Sequence, residues 1–115
     1  MSTPTPEKAV IAGYHAHIYF VESSRDYAAE IRETMAARFD VEMGRWHDRP
    51  VGPHTRPMYQ VKFATEVFAD FIPWLMVNHG DLAVLIHPRT GNDVSDHTDH
   101  ALWLGEKLDL DLSQL

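Results

Sequence analysis

Residues 14–20, YHAHIYF, alternate with a period of two between apolar and hydrogen-bonding side chains. Successive side chains of a β-strand point to opposite faces, so His15, His17 and Tyr19 share one face. The even-numbered residues of the run, which are aromatic or aliphatic, share the other. The run therefore predicts a strand with one face in the core. The fold must supply a sheet that is covered on that side and accessible on the other.

Two helical runs and three further β-type runs follow. Both helical runs, residues 22–39 and 65–80, carry apolar side chains at intervals of three and four. Pro73 interrupts the second helical run and should kink it or open a new turn. The apolar face of that run consists of Phe68, Phe71, Ile72, Leu75 and Met76. The β-type runs occupy residues 41–48, 58–64 and 82–88.

The resulting order, β-α-β-β-α-β, predicts a ferredoxin-like α+β sandwich, in which an antiparallel sheet carries both helices on one face. Residues 1–9, rich in Thr and Pro, are expected to form a flexible tail, and residues 10–115 a single domain. A small sheet rarely leaves its second face bare. We therefore expect the run KLDLDL, residues 107–112, to add a strand or an interface arm there, or a second subunit to form a homodimer.

Composition excludes several classes of function. The 115 residues contain no cysteine, which rules out disulfides, thiolate catalysis and metal sites with sulfur ligands. A formal net charge of -7 argues against nucleic acid as a partner, because phosphate backbones attract basic surfaces. No apolar stretch is long enough to cross a bilayer, and the first residues do not resemble a secretory signal. We therefore expect a cytoplasmic protein without a membrane partner.

Eight histidines are the main compositional anomaly. His15 and His17 form an HxH pair on one strand face, His54 lies in the Pro/Gly-rich loop 49–57, and His87 ends the fourth β-type run. Neutral imidazole binds Fe(II), Zn(II), Cu(II) and Ni(II), so histidines that converge from separate elements favour a metal site. The alternative interpretation of the HxH pair is a wet sheet face on which both rings bind water.

Four segments together resemble the DOPA 4,5-dioxygenase family. They are YHAHIYF, GRWHDRPVGPHTRPMYQVKF, FIPWLMVNHGDLAVLIHPRTGND and DHTDHALWLGEKLDLDL, and the likeness runs from Gly13 to Leu112. The resemblance implies a ferredoxin-like fold and extradiol cleavage of a catechol such as L-DOPA by O2. It also implies a non-haem Fe(II) cofactor, for which Zn or Ni can substitute in a recombinant sample.

For this chemistry we expect His17, His54 and His87 to bind the metal. His15 is then either a fourth ligand or the acid/base that moves a catechol proton. Extradiol sites usually include a carboxylate ligand, but the sequence does not identify which acidic residue would supply it here. The acids considered, each more typical of a solvated surface charge, are Glu22, Glu42, Asp96 and Asp99.

Four further residues are candidates for the site. Arg89 and Lys62 can bind the carboxylate of an amino-acid substrate, although a solvent-exposed salt bridge is the commoner role of either. His97 and His100 lie in a polar segment that is either an active-site flap or a capped turn. In a flap, His100 would take part in catalysis and His97 in substrate binding.

Three other functions use the same residues. A metal- or small-ligand-binding dimer would bind without turnover, and a purely structural dimer would use the histidine face as a wet interface. A metal-dependent hydrolase or isomerase would work without O2. Metal content and the need for O2 distinguish these possibilities.

Overall fold

The computed structural model describes residues 10–115, and the predicted N-terminal tail lies outside the described residues. Within that range the chain forms five strands, two long helices and one short helix, with single 3-10 turns before the long helices and near the end of the chain. The elements are β1 (Tyr14–Tyr19), α1 (Arg25–Arg38), β2 (Glu42–His47), β3 (Met58–Phe63), α2 (Phe68–Asn78), β4 (Ala83–Pro88), α3 (Asp93–His97) and β5 (Leu102–Leu104).

The strands form one antiparallel sheet in the order β2-β3-β1-β4-β5, which confirms the predicted β-α-β-β-α-β arrangement. β1 is the central strand and pairs with β3 on one side and β4 on the other. In this register His15 lies opposite Lys62 and His87, and His17 lies opposite Gln60. Residues directly opposite on neighbouring strands point to the same face, so the register brings these polar side chains together.

The main core fills the space between the helices and the face of β1 that carries Ala16 and Ile18, as the alternation predicts. α2 continues through Pro73, and Gly80, with φ +58°, follows its end. Met76 was expected on the buried face but is 50% exposed. At 100° per residue its side chain lies roughly 90° from the centre of the face that packs on the sheet.

The opposite face of the sheet divides along β1. At the Tyr19 end the side chains are apolar, and they form a second buried cluster with Tyr19, Met58, Ala83, Leu85 and Leu108. At the other end lie His15 and its neighbours across the strands. The face is therefore half apolar core and half polar surface, and the histidines lie between the two.

The C-terminal segment covers the apolar half, in a form that differs from the expected strand. The fifth strand is Leu102–Leu104, which pairs with β4, whereas residues 107–112 are largely irregular. Leu110 forms an isolated β-bridge with His54, and the Asp111 amide donates to the Pro53 carbonyl at 2.8 Å. These bonds attach the segment to the loop that carries His54. The homodimer stays a prediction.

None of the helices in residues 10–115 combines the length and the apolar character that a bilayer-spanning segment needs.

Candidate metal centre

Five histidine side chains from four parts of the chain meet on the open face of the sheet. Ring centroids are 4.1 Å apart for His17 and His54, and 4.1 Å apart for His87 and His97. His15 lies at the edge of the group, 5.1 Å from the His87 ring. All except His15 are buried. We call this group the histidine cluster: His15, His17, His54, His87 and His97.

Each member is placed by a different local feature. The period of β1 puts His15 and His17 on one face, and strand pairing puts His87 beside them. The His54 loop is attached to the C-terminal segment, where the Thr55 hydroxyl donates to the Asp109 carbonyl at 2.8 Å. His97 ends the short helix α3, which begins after an Asn92 cap that accepts from the Ser95 amide.

The cluster contains two candidate triads for a metal ion. The possible ligand atoms of His15, His17 and His87 lie within 4.8 Å of one another, as do those of His17, His54 and His97. The Nε2 atoms of His17 and His87 are 3.1 Å apart. Two histidine ligands on one cation, each about 2.1 Å from it, have a separation of about 3.0–3.4 Å in tetrahedral or octahedral geometry. The donor set therefore fits a divalent metal that accepts nitrogen ligands.

Hydrogen bonds fix several of the rings. His87 Nδ1 donates to the Pro88 carbonyl at 2.9 Å, and His97 Nδ1 donates to the Asp93 carbonyl at 2.7 Å. His54 Nδ1 is 2.6 Å from the Tyr19 hydroxyl. His17 Nδ1 is buried and has no hydrogen-bond partner among the described residues. The polar contact recorded for this ring within residues 10–115 is the approach of its Nε2 atom to His87, so Nε2 and not Nδ1 faces the other histidines.

Burial keeps four members of the cluster, His15, His17, His54 and His87, neutral near pH 7. For His54, burial and the neighbouring histidines together lower the pKa from 6.5 to about 4. For His87, burial also lowers the pKa to about 4, although the hydrogen bond to the Pro88 carbonyl opposes this shift. The pKa of His17 is held well below 6.5 by burial and by the neighbouring histidines. For His15 burial is again the largest cause, followed by His87, Arg89 and Lys62, and the pKa falls to about 4. Neutral imidazole is the form that binds metals.

The cluster opens into a cavity of about 640 Å³. Its lining combines the five histidines with Gln60, Arg89, Thr90 and parts of the chain around residues 10–12. Small-molecule sites commonly measure about 300–1,000 Å³. The cavity is therefore large enough for an aromatic substrate beside the candidate metal position.

Of the other predicted residues, Arg89 lines this cavity and His97 belongs to the histidine cluster itself. Lys62 is partly exposed and lies 3.9 Å from the Glu42 carboxylate, close enough to His15 to influence its pKa. His100 is not in the cluster. It contacts Asp96 at 3.1 Å and lines a separate, mostly apolar cavity of about 650 Å³.

Asp96 is the clearest correction at the site. It was expected as a solvated surface charge, but it is 2% exposed and accepts hydrogen bonds from the backbone amide and hydroxyl of Thr90. Burial raises its pKa, but the bonds from Thr90 and His100 outweigh that effect and leave the pKa lowered. The carboxylate thus anchors α3 to the end of β4. Tyr19, which contacts His54, was placed on the correct face by the alternation but given no role.

Comparisons of the chain with known proteins identify its family. The family model described as the Dopa 4,5-dioxygenase family matches residues 14–114. The chain is 34% identical to an uncharacterised 21.2 kDa protein of Botryotinia fuckeliana over 93% of its length, and 31% identical to a DOPA 4,5-dioxygenase of Amanita muscaria over 91%. It spans 65% and 50% of the lengths of these two relatives.

Among solved structures, the fold is similar to a crystal structure from Nostoc punctiforme that is provisionally described as a dioxygenase. The TM-score is 0.88 at 52% identity, and the match covers 90% of each chain. The likeness therefore extends over most of both chains. The chain belongs to the DOPA 4,5-dioxygenase family.

Proposed function

We propose that this protein is a non-haem Fe(II)-dependent extradiol dioxygenase that opens the ring of a catechol such as L-DOPA. The observation that carries the proposal is the histidine cluster, in which nitrogen ligands from four chain segments converge on one cavity. Family membership supports the reaction class, because a relative 31% identical to this chain is named for it.

The metal would be held by nitrogen atoms of the cluster, with His17 a ligand in either triad. The set expected from the sequence, His17, His54 and His87, takes residues from both triads. A ferrous ion bound there would supply the chemistry that activates the catechol and dioxygen together. Nitrogen ligands also accept Zn(II) and Ni(II), so a recombinant sample should be analysed for these metals before it is assayed.

The remaining cavity residues suit a catechol that carries a carboxylate. Arg89 presents a guanidinium, which binds carboxylates through two parallel hydrogen bonds. Lys62 adds positive charge near the same end of the cavity. His15 is close enough to both cations for their charges to help lower its pKa. The ring is therefore neutral and can serve either as a metal ligand or as the acceptor of a proton from a catechol hydroxyl.

The test is anaerobic loading of metal-free protein with Fe(II), followed by L-DOPA and then air. The expected result is a yellow ring-opened product with uptake of one O2 per product. His17→Ala should abolish both metal binding and product formation. His47→Ala is the matched control, because His47 lies outside the histidine cluster on β2.

The outcomes separate the alternative functions. Tight metal binding without product would favour a binding module, and turnover of a substrate without O2 would favour a hydrolase or isomerase. A wild-type protein that binds none of Fe(II), Zn(II) or Ni(II) would contradict every metalloenzyme proposal. Homodimer formation and cytoplasmic location stay predictions, and light scattering coupled to gel filtration tests the first.

A further inference from the structure

The two candidate triads share His17, and the hydrogen bonds around them differ. We infer that His15, His17 and His87 hold the metal, whereas His54 presents an N–H group from its Nε2 atom to the bound substrate. This inference rests on the proposed function and deepens it. The inferred metal ligands differ from those expected from the sequence, because His15 takes the place of His54. Tyr19 then acts as a positioning residue for the His54 ring.

The argument begins at the Tyr19 hydroxyl. Tyr19 is 1% exposed and lies in the apolar cluster with Leu85 and Leu108. Within residues 10–115 its hydroxyl is hydrogen-bonded to His54 Nδ1, at 2.6 Å. A hydroxyl that accepted a proton from Nδ1 would leave its own hydrogen buried without an acceptor, at a cost of about 1–3 kcal/mol. Tyr19 is therefore the donor, and His54 Nδ1 is the acceptor.

This assignment fixes the tautomer of His54. A neutral imidazole carries one proton, so a ring that accepts at Nδ1 is protonated at Nε2. Its Nδ1 lone pair is taken by the phenol, and its Nε2 lone pair is replaced by a hydrogen. Ligation through Nε2 would require the proton to move to Nδ1 and would leave the hydrogen of the Tyr19 hydroxyl without an acceptor. The triad of His17, His54 and His97 therefore lacks one of its three lone pairs.

His87 has the opposite tautomer, with its proton on Nδ1 and not on Nε2. A carbonyl oxygen can only accept, so the Pro88 carbonyl requires a proton on His87 Nδ1 and leaves the Nε2 lone pair free. That atom is the one that lies 3.1 Å from His17 Nε2. A backbone carbonyl on the far nitrogen is the usual outer partner of a metal-binding histidine. The hydrogen bonds thus prepare His87, and not His54, for a metal.

The His54 ring is also well placed to act on the substrate. Its loop is attached to the C-terminal segment by the Leu110 bridge and by the Thr55 and Asp111 hydrogen bonds. The ring lines the cavity, so its N–H can donate to an oxygen atom on which negative charge develops. Loss of one such preorganised donor typically lowers kcat by about 100- to 1,000-fold.

The first experiment measures metal affinity by calorimetric titration with Zn(II) alone, which does not depend on turnover. His15→Ala and His87→Ala should weaken Zn(II) binding by more than about 100-fold, beyond the usual effect of losing an outer partner. His54→Gln should bind Zn(II) within about threefold of the wild type. A loss in His54→Gln equal to that in His87→Ala overturns the inference while leaving the proposed function intact. A wild type that binds no Zn(II) contradicts the proposed function itself.

The second experiment tests the tautomer and the donor. In the zinc-loaded protein with 15N-labelled histidine, NMR should find the proton of His54 on Nε2, and a proton on Nδ1 overturns the inference. His54→Gln keeps an amide N–H near the Nε2 position and should retain more kcat than His54→Leu. Tyr19→Phe, a variant of almost unchanged shape, should lower kcat about 10-fold or more without changing KM or Zn(II) affinity. A Tyr19→Phe protein with wild-type kcat would exclude the positioning role.

Discussion

Acidification should destabilise the metal-free protein in a pH range set by its buried histidines. Burial lowers the pKa of His54 and His87 to about 4 in the folded protein, whereas an unfolded chain has a histidine pKa of about 6.5. Between these two values the unfolded state binds more protons, so the free energy of unfolding falls as the pH falls. The contribution of these histidines to the free energy of unfolding is fully present above about pH 6.5, and it decreases no further below about pH 4.

The size of the effect follows from these two pKa values. A pH of about 5 lies about 1.5 units below the histidine pKa of the unfolded state and is still above that of the folded state. Each of the two histidines therefore lowers the free energy of unfolding by about 2 kcal/mol at this pH. The two rings together account for about 4 kcal/mol, and His17 adds to the loss in the same direction. The free energy of unfolding of a small domain is about 5–15 kcal/mol, so a loss of this size removes a large share of the stability.

Urea unfolding in the presence of a chelator, at about pH 7.5 and about pH 5, measures this effect. With a urea slope of about 1–3 kcal/mol per M, a loss of about 4 kcal/mol lowers the midpoint by more than about 1 M. The control is the double variant His54→Gln, His87→Gln. In this variant the difference in the free energy of unfolding between the two pH values should be smaller by about 4 kcal/mol. The carboxylates with lowered pKa, such as Asp96, titrate below this range and do not contribute. Equal midpoints at the two pH values would refute the reasoning.

Four further outcomes are expected. Zn(II) at about 100 times its Kd should raise the free energy of unfolding by about 2.7 kcal/mol, seen as a Tm increase that a chelator reverses. Asp96→Asn should cost about 1–3 kcal/mol in urea unfolding, because it disturbs the buried bonds from Thr90. Arg89→Ala should raise KM about 10- to 100-fold for L-DOPA, but much less for unsubstituted catechol, because a charge-assisted hydrogen bond contributes about 1.5–3 kcal/mol. Leu108→Ala and Ile18→Ala should each cost about 2–5 kcal/mol in the free energy of unfolding, but Leu108→Ala alone of the two should also lower kcat, because Leu108 shares a buried cluster with Tyr19 and Ile18 does not.

The fold was predictable because its signals are periodic. The alternation in β1 assigned Ala16 and Ile18 to the core and His15 and His17 to the open face, and the structure confirms both. Period-two and period-3.6 patterns also located the other main elements. Segments without a period were not predictable: α3 and β5 are short, and the order of polar residues before them gave no regular pattern. Their positions depend on long-range contacts such as the pairing of β5 with β4.

The convergence of three of the predicted histidines was predictable from the sequence, but the hydrogen bonds around them were not. The sequence indicated that His17, His54 and His87 converge, and the structure places all three in the histidine cluster. It could not indicate that Asp96 is buried, because that depends on how α3 turns back onto Thr90. Nor could it indicate which ring nitrogen carries each proton. That property depends on the atom next to each Nδ1. For His54 this atom is the Tyr19 hydroxyl, which is distant in the sequence. For His87 and His97 it is a carbonyl of the same strand or helix, but whether the ring reaches that carbonyl depends on the conformation of the side chain.

The division of the open face explains why such neighbours matter. At the Tyr19 end the surroundings are apolar, so an unpaired hydroxyl proton is costly, and this cost determines the tautomer of His54. At the His15 end the face is partly exposed and carries the positive charges of Arg89 and Lys62, which favour an anionic group. We therefore expect a bound catechol to place its carboxylate toward His15 and its ring toward His54. A substrate without the carboxylate should lose affinity but keep the contact with the His54 N–H. Changes at the His15 end of β1 should therefore alter mainly KM, and changes at the Tyr19 end should alter mainly kcat.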